Sequence, residues 1–419
     1  MEETYRVLLS RGAEEGIRRL EAAGYPAYAV GGCVRDAVLG RYPHDFDLCT
    51  AAEPLTICAV FEGEQLFTAG IRHGTVGVIL AGETLEITAF RADGIYSDGR
   101  HPDSVRFTDR LEEDLRRRDF TVNAMAYHPE RGLVDLFGGC RDISDRVIRC
   151  VGVPTARFSE DALRILRALR FSSALDFRID EKTEAALFSE AYRLSAVAPE
   201  RIRAELYGLL RGKAAASVVK RYASVLSVLF PVFADTLDTE TGSRALRVLG
   251  SPACTERIRF SYFALLAAGG EPGRVPEVMQ RLGLSGRACS DAAMPLFSGS
   301  VPRTLPELRR FLHTLGSGDG AIALAEELIC AEEALGKEVA SVRDLLARIK
   351  REKLCFERNG TYGLSLDGSD LIRAGLAQGC GIGRILDRLL VGVTEGQLPN
   401  EREALLSAAA RLAEEMQNG

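Results

Sequence analysis

Strand signals in this chain stop near residue 150. Up to that point, short apolar and β-branched runs alternate with helical patterns. Beyond it, helical patterns with short Gly or Pro breaks run through the rest of the 419 residues. Such a chain is expected to form a mixed α/β head followed by a long α-helical body, on a scale of roughly three domains. Glu3 to Ala23 reads as an amphipathic helix, Tyr28-Ala29-Val30 as a short strand, Val34 to Leu39 as a brief helix closed by Gly40, and Phe46 to Cys49 as a strand. Val76 to Leu80 and Leu85 to Phe90 read as a hairpin across Ala81-Gly82. Asp93 to Arg110, rich in Gly, Ser, Asp and Pro, reads as a mobile loop. Ser159 is the expected N-cap of a helix over Glu160 to Phe171. Ser300 to Pro306 and Asn359 to Gly368 are candidate hinges.

The head carries a chemical signal. Asp45 and Asp47 are one residue apart, so on a strand they point to the same face. Neighbouring carboxylates repel and call for a cation between them. Oxygen ligands suit Mg²⁺, which keeps part of its water shell and also takes substrate phosphates. The Gly31-Gly32 turn just upstream leads into a helix and offers backbone N–H groups to a phosphate. Together these features predict metal-dependent nucleotidyl transfer. A lone D-x-D is usually solvated surface; the glycine turn and a third carboxylate, Glu86, strengthen this one. Glu86 lies in the otherwise apolar or β-branched run Leu85-Glu86-Ile87-Thr88, where it needs a cation or a partner. Helping to position the metal or an aspartate, and a salt bridge to an arginine, both satisfy it.

Further arginines follow. Arg116-Arg117-Arg118 precedes Asp119 and Asn123, and arginine forks suit phosphate. Asp119 and Asn123, four apart, share a face if helical, and either hold a ribose hydroxyl or cap a helix start. On the expected helix 160–171, Ala162, Leu166 and Leu169 follow helical spacing and should be buried. Asp161 and Arg164 are neighbours on the other side. An acceptor beside a donor fork matches the edge of cytosine or adenine and rejects uracil and guanine. Arg167 lies one step round, within reach of phosphates, and Arg170 half a turn from Asp161. The plain alternative is a surface lattice of i,i+3 and i,i+4 ion pairs.

Composition narrows the class. The apolar fraction is 46% and the charged fraction 27%, ordinary for a soluble globular protein. The net charge of −6 means that a nucleic-acid partner needs a local basic face. The 10 cysteines include no C-x-x-C pair, and none of the five histidines has metal-ligand spacing to another, so zinc is not expected. No signal peptide and no apolar run near 18 residues appear, so a cytoplasmic protein with no membrane span and no disulfides is expected.

The ordered stretches GGCVRDAVLG, HDFDLCT, IRHGTVGVIL, LEITAFR, LEEDLRRRDFTVNAMAY, DLFGGCRD, SEDALRILRALRF and PERIRAEL span residues 27 to about 210. As a set they resemble the bacterial class II tRNA nucleotidyltransferases, the CCA-adding enzymes and their poly(A) polymerase relatives. The segment from LDGSDLIRAG to NEREALL is similar to that family's tail. The resemblance implies a nucleotidyltransferase head over 1–150, then an all-α neck (151–214, base recognition), body (215–350) and tail (351–419, tRNA binding). It implies that Asp45 and Asp47 bind catalytic Mg²⁺. It also implies that Gly32, Arg35 and Arg118 contact the nucleotide, and that Asp161, Arg164, Arg167 and Arg170 form the base pocket. The implied reaction adds C, C and A from CTP and ATP to the acceptor arm of tRNA without a nucleic-acid template. IRHGTVGVIL takes the form of the tRNA enzymes rather than the Arg-rich segment of bacterial poly(A) polymerases. The loop before RRDFTVNA is full length, unlike that of enzymes adding only two cytidines. Complete CCA addition and addition of the final A alone both remain. Asp45, Asp47 and Arg118 are all present, which speaks against a non-catalytic tRNA-binding protein or a scaffold.

Overall fold

The computed structural model describes residues 7–43, 45–93, 105–284, 319–344, 346–347, 350, 364–394 and 397–417. The chain divides into two compact units, residues 1–238 with 281–283, and residues 239–280 with 284–419.

The first unit is built on a seven-stranded mixed sheet. Helix α1 (Arg11–Ala22) precedes strand β1 (Ala27–Val30), helix α2 (Gly32–Val38) and strand β2 (Asp47–Thr50). Helix α3 (Pro54–Val60) leads to β3 (Leu66–Phe67), β4 (Thr75–Leu80) and β5 (Glu83–Ala89). The short ribbon β6 (Arg91–Asp93) and β7 (Val105–Phe107), helix α4 (Leu111–Arg116), and strands β8 (Met125–His128) and β9 (Gly132–Asp135) complete the head. The order across the sheet is β3-β4-β5-β2-β1-β8-β9. β2 runs parallel to β5, and the other neighbours are antiparallel. The β4–β5 hairpin turns at Ala81 (φ 51°) and Gly82 (φ 80°), the two left-handed residues a tight hairpin turn requires.

Helix α1 starts at Arg11, after the non-helical residues 7–10, because the Ser10 hydroxyl accepts from Ala13 N–H and caps it there; residues 3–6 of the expected helix lie outside the described residues. It buries Ala13, Ile17 and Leu20. Gly16 lets it lie close on the sheet, where a Cβ would come within 2.7 Å of Leu48. Strand β2 starts at Asp47, so Asp45 lies in the bend before it and not on the strand. The stretch expected as a mobile loop ends in a paired ribbon, since Arg91–Asp93 and Val105–Phe107 form an antiparallel ladder. Residues 94–104 lie outside the described residues.

After the sheet come α5 (Gly139–Ser144) and strand β10 (Val147–Ile148), then α6 (Pro154–Glu160) and α7 (Leu163–Leu175). Strand β11 (Arg178–Ile179) pairs in parallel with β10, so strand structure extends slightly beyond residue 150. Helices α8 (Glu181–Glu190) and α9 (Pro199–Arg211) follow. Ser159 lies inside α6, its hydroxyl donating to Ala156 O, and caps nothing. The expected helix over 160–171 is broken at Asp161-Ala162, where Asp161 is extended (φ −146°) and its Oδ1 accepts from Leu163 N–H to open α7. Ala162, Leu166 and Leu169 are buried as expected.

Among its described residues the second unit is built of helices joined by turns, with no strand. Thr239 and Thr255 cap helices Glu240–Gly250 and Glu256–Ala267 through their side chains. Leu371, Ile385, Leu389, Leu405 and Ala409 form a core among helices Gly368–Arg373, Cys380–Thr394 and Arg402–Gln417. Asp367 and Asp370 make a reciprocal capping box at the first of these. The candidate hinge 300–306 lies outside the described residues, as do residues 359–363 of the second candidate hinge. Among the described residues no helix is long and apolar enough to cross a membrane. Cys33, Cys49, Cys58, Cys140, Cys150, Cys254 and Cys330 are free thiols. An α/β head followed by helices is therefore the observed class.

Candidate active site

Antiparallel pairing sets Val30, the last residue of β1, beside Asp47, the first of β2. The Gly31-Gly32 turn therefore emerges next to the acidic strand end. Gly31 has φ 79° and ψ −124°, a backbone that side chains disfavour, and its N–H donates to Met125 O at 3.2 Å. Parallel pairing sets Glu86 of β5 directly across from Asp47. Both are exposed, so Glu86 is not the buried strand glutamate its apolar neighbours suggest. Partial burial, then the charge of Glu86, then that of Asp45 push the Asp47 carboxyl above its usual range, against the pull of Arg118. Crowded anionic oxygens suit a hard divalent ion. Among the described residues no three His, Cys, Asp or Glu side chains form a complete metal cage.

Two buried aspartates hold the arginines. Asp114 is fully buried and receives Arg117 at 2.7 Å and Arg118 at 3.0 Å. Burial opposes its ionisation, but the charges of Arg118 and Arg117 prevail and hold its carboxyl below the usual range. Asp119 receives Arg167 at 2.6 Å and Asn123 Nδ2 at 3.2 Å. Here too burial is overcome, by Arg167, Asn123 and the Phe120 N–H, and the carboxyl stays low. Asn123 Oδ1 accepts from Arg35 at 2.7 Å. Arg170 pairs with Glu205 of α9 at 2.6 Å, and Arg167 lies 3.6 Å from the same carboxylate. The guanidinium groups of Arg35, Arg167 and Arg170 surround the ring of Phe171, at 5.4, 5.5 and 4.3 Å from its centre.

Asp161 and Arg164 are not salt-bridged neighbours on one helix. Asp161 Oδ2 accepts from Arg201 of α9 at 2.8 Å. Arg164 donates to Glu160 at 2.5 Å and to the carbonyls of Arg157 and Arg117. Both nonetheless line one cleft of about 480 Å³. Gly32, Arg35, Asp47, Arg118, Arg167 and Arg170 line it as well. The helix break explains Arg170. Asp161 precedes α7, so counting half a turn along one ideal helix does not apply. Asp45 and Glu86 do not line the cleft; they act on it through Asp47. Seven arginines against three aspartates line this space, which supplies a local basic site on a chain of net charge −6.

The family described as Poly A polymerase head domain matches residues 27–149, and that described as probable RNA and SrmB-binding site of polymerase A matches 176–237. The CCA-adding enzyme of Limosilactobacillus fermentum is 36% identical over 401 residues, covering 94% of this chain and 95% of that protein. The chain belongs to the CCA-adding enzymes. The Bacillus stearothermophilus CCA-adding enzyme in complex with CTP matches at a TM-score of 0.75 and 29% identity, covering 100% of both chains. The Thermotoga maritima CCA-adding enzyme complexed with tRNA-CCA matches at 0.59 and 25%, covering 95% and 94%.

In this member of the CCA-adding enzymes several residues in the cleft or holding its arginines carried no role in the sequence reading. Arg201 holds Asp161, Glu205 holds Arg167 and Arg170, Asp114 holds Arg117 and Arg118, and Phe171 lies among three guanidiniums. One signal was legible. Arg201 and Glu205 are four apart, one face of a helix, and are opposite in charge to Asp161 and the arginines of α7 that they meet.

Proposed function

We propose that this protein transfers CMP and AMP from CTP and ATP to the 3′ end of tRNA, building or repairing the CCA terminus in the cytoplasm. The observation that carries it is the convergence of Asp47, the Gly31-Gly32 turn and seven arginines on one cleft. In this reading residues 151–214 read the incoming base and residues 351–419 hold tRNA.

Asp45 and Asp47 would hold Mg²⁺, and Glu86 supports Asp47 from the neighbouring strand. Bound there, the ion supplies Lewis acidity to the attacking hydroxyl and charge neutralisation to the leaving pyrophosphate. Arg35 and Arg118, beside Gly32, hold the triphosphate. The tRNA 3′-oxygen bonds to the α-phosphorus, the bond to the bridging oxygen breaks, pyrophosphate leaves and the hydroxyl proton passes to solvent. Catalysis is mainly positioning and charge stabilisation. Asp161 accepts from the exocyclic amine of cytosine or adenine while Arg164 donates to the ring. Each Asp161 oxygen, engaged by Leu163 N–H and by Arg201, keeps a lone pair for this.

The test uses three tRNAs, ending at the discriminator base, in CC and in CCA, with Mg²⁺ and with CTP and ATP separately and together. Extension of the shortest by about three nucleotides is expected. Extension of the CC form alone would assign A-addition, and long A tails a poly(A) polymerase. In the same assay Asp161→Ala should lose roughly 10- to 100-fold of its discrimination against UTP and GTP. Unchanged selectivity would remove Asp161 from base reading.

A further inference from the structure

We propose that Phe171 and Gly208 are positioning residues that together seat the Arg170 guanidinium in the nucleotide cleft, with the Phe171 ring also steadying Arg35 and Arg167. This rests on the functional reading above and adds residues to it that touch no reacting atom.

Three observations carry it. First, the Phe171 ring is 7% exposed and fixed edge-on by Phe120, with ring centres 5.8 Å apart at 77°. Its electron-rich surroundings attract three cations, Arg170 at 4.3 Å most closely. Second, α9 crosses this point at a glycine. A Cβ on Gly208 would fall 2.3 Å from Arg170 Cδ and 3.0 Å from its Cγ. The arginine stem therefore fills the volume that any other residue at 208 would claim. Third, Glu205, one turn earlier on α9, forms an ion pair with Arg170, its carboxylate 2.6 Å from Nε. Stem, ring face and charge are each met by a different contact. An unseated guanidinium, repelled by Arg167 and better hydrated outside, would swing away from the bound nucleotide. Three like charges gathered on one ring suit a polyanion more than they suit core packing.

The experiment is steady-state kinetics on the full-length protein with tRNA, CTP and ATP, alongside calorimetric binding of each nucleotide. Phe171→Leu should raise KM and Kd for both nucleotides about ten-fold, with kcat within about two-fold of wild type. Phe171→Tyr, which keeps the ring, should restore binding. Gly208→Ala should weaken binding similarly, and it carries the test if Phe171→Leu does not fold. Phe171→Leu added to Arg170→Lys should weaken binding little further, because both act through one guanidinium. Unchanged KM and Kd in both variants, or fully additive effects, would overturn the seat. A wild type that binds nucleotide but adds none to tRNA would sink the functional reading alone, since the binding arm still judges the seat.

Discussion

Asp47→Ala and Asp45→Ala should each lose nucleotide addition by on the order of a thousand-fold or more, in proteins that remain folded. The expectation comes from charge. Partial burial, Glu86 and Asp45 disfavour the ionised form of Asp47 in the folded chain. Its folded pKa lies above its unfolded one, so stability falls as pH rises between those two values and stays lower above them. At neutral pH the ionised carboxylate is thus a liability to the fold that a bound cation relieves. Melting curves should show Asp47→Asn no less stable than wild type without divalent ions. Added Mg²⁺ should raise the wild-type midpoint and leave the variant's unmoved. Ordinary turnover by either folded alanine variant would refute the metal assignment.

Asp114→Asn is expected to destabilise the first unit by about 3 kcal/mol, the low end for a broken buried ion pair, because both arginines reach the water of the cleft. Asp114 is fully buried and is the counter-charge of Arg117 and Arg118, which are 15% and 19% exposed. Without it, two like charges face each other beside Cys49, a buried thiol whose pKa burial already holds well above its usual value. The pH dependence has a definite sign. The folded pKa of Asp114 lies below the unfolded one, so its stabilisation is present above about pH 4 and is lost as pH falls through the folded value. Wild type and variant should therefore converge in acid. Urea titrations at pH 7 and pH 3 would measure this, and an equal gap at both would refute the ion-pair account.

Much of the head was legible beforehand because its signals are local. The Ala81-Gly82 turn, the apolar faces of β4 and β5 and the Gly31-Gly32 pair each act over a few residues, and each appears where expected. Residues 151–214 were less legible. Helical spacing across 160–171 runs on without interruption, yet the chain breaks at Asp161-Ala162. Periodicity counts which residues face the core and cannot register one extended residue whose side chain caps the next helix. Asp45 and Glu86 were misplaced for a related reason. Alternation fixes the face of a residue within a strand but not where the strand starts or which face is covered.

The order and types of residues by themselves determined an α/β head, helices after it, and an inventory of oxygen ligands and guanidinium forks suited to a nucleotide and a hard cation. Only the tertiary structure decided the long-range partners of the cleft arginines. Those partners stand far apart in the chain, Arg35 and Asn123 by 88 positions, Arg167 and Asp119 by 48, Arg201 and Asp161 by 40. Spacing along a chain reports neighbours within a few residues. Pairings at such separations follow from which apolar faces bury against each other, and that is settled only when the sheet and the α7–α9 helices pack.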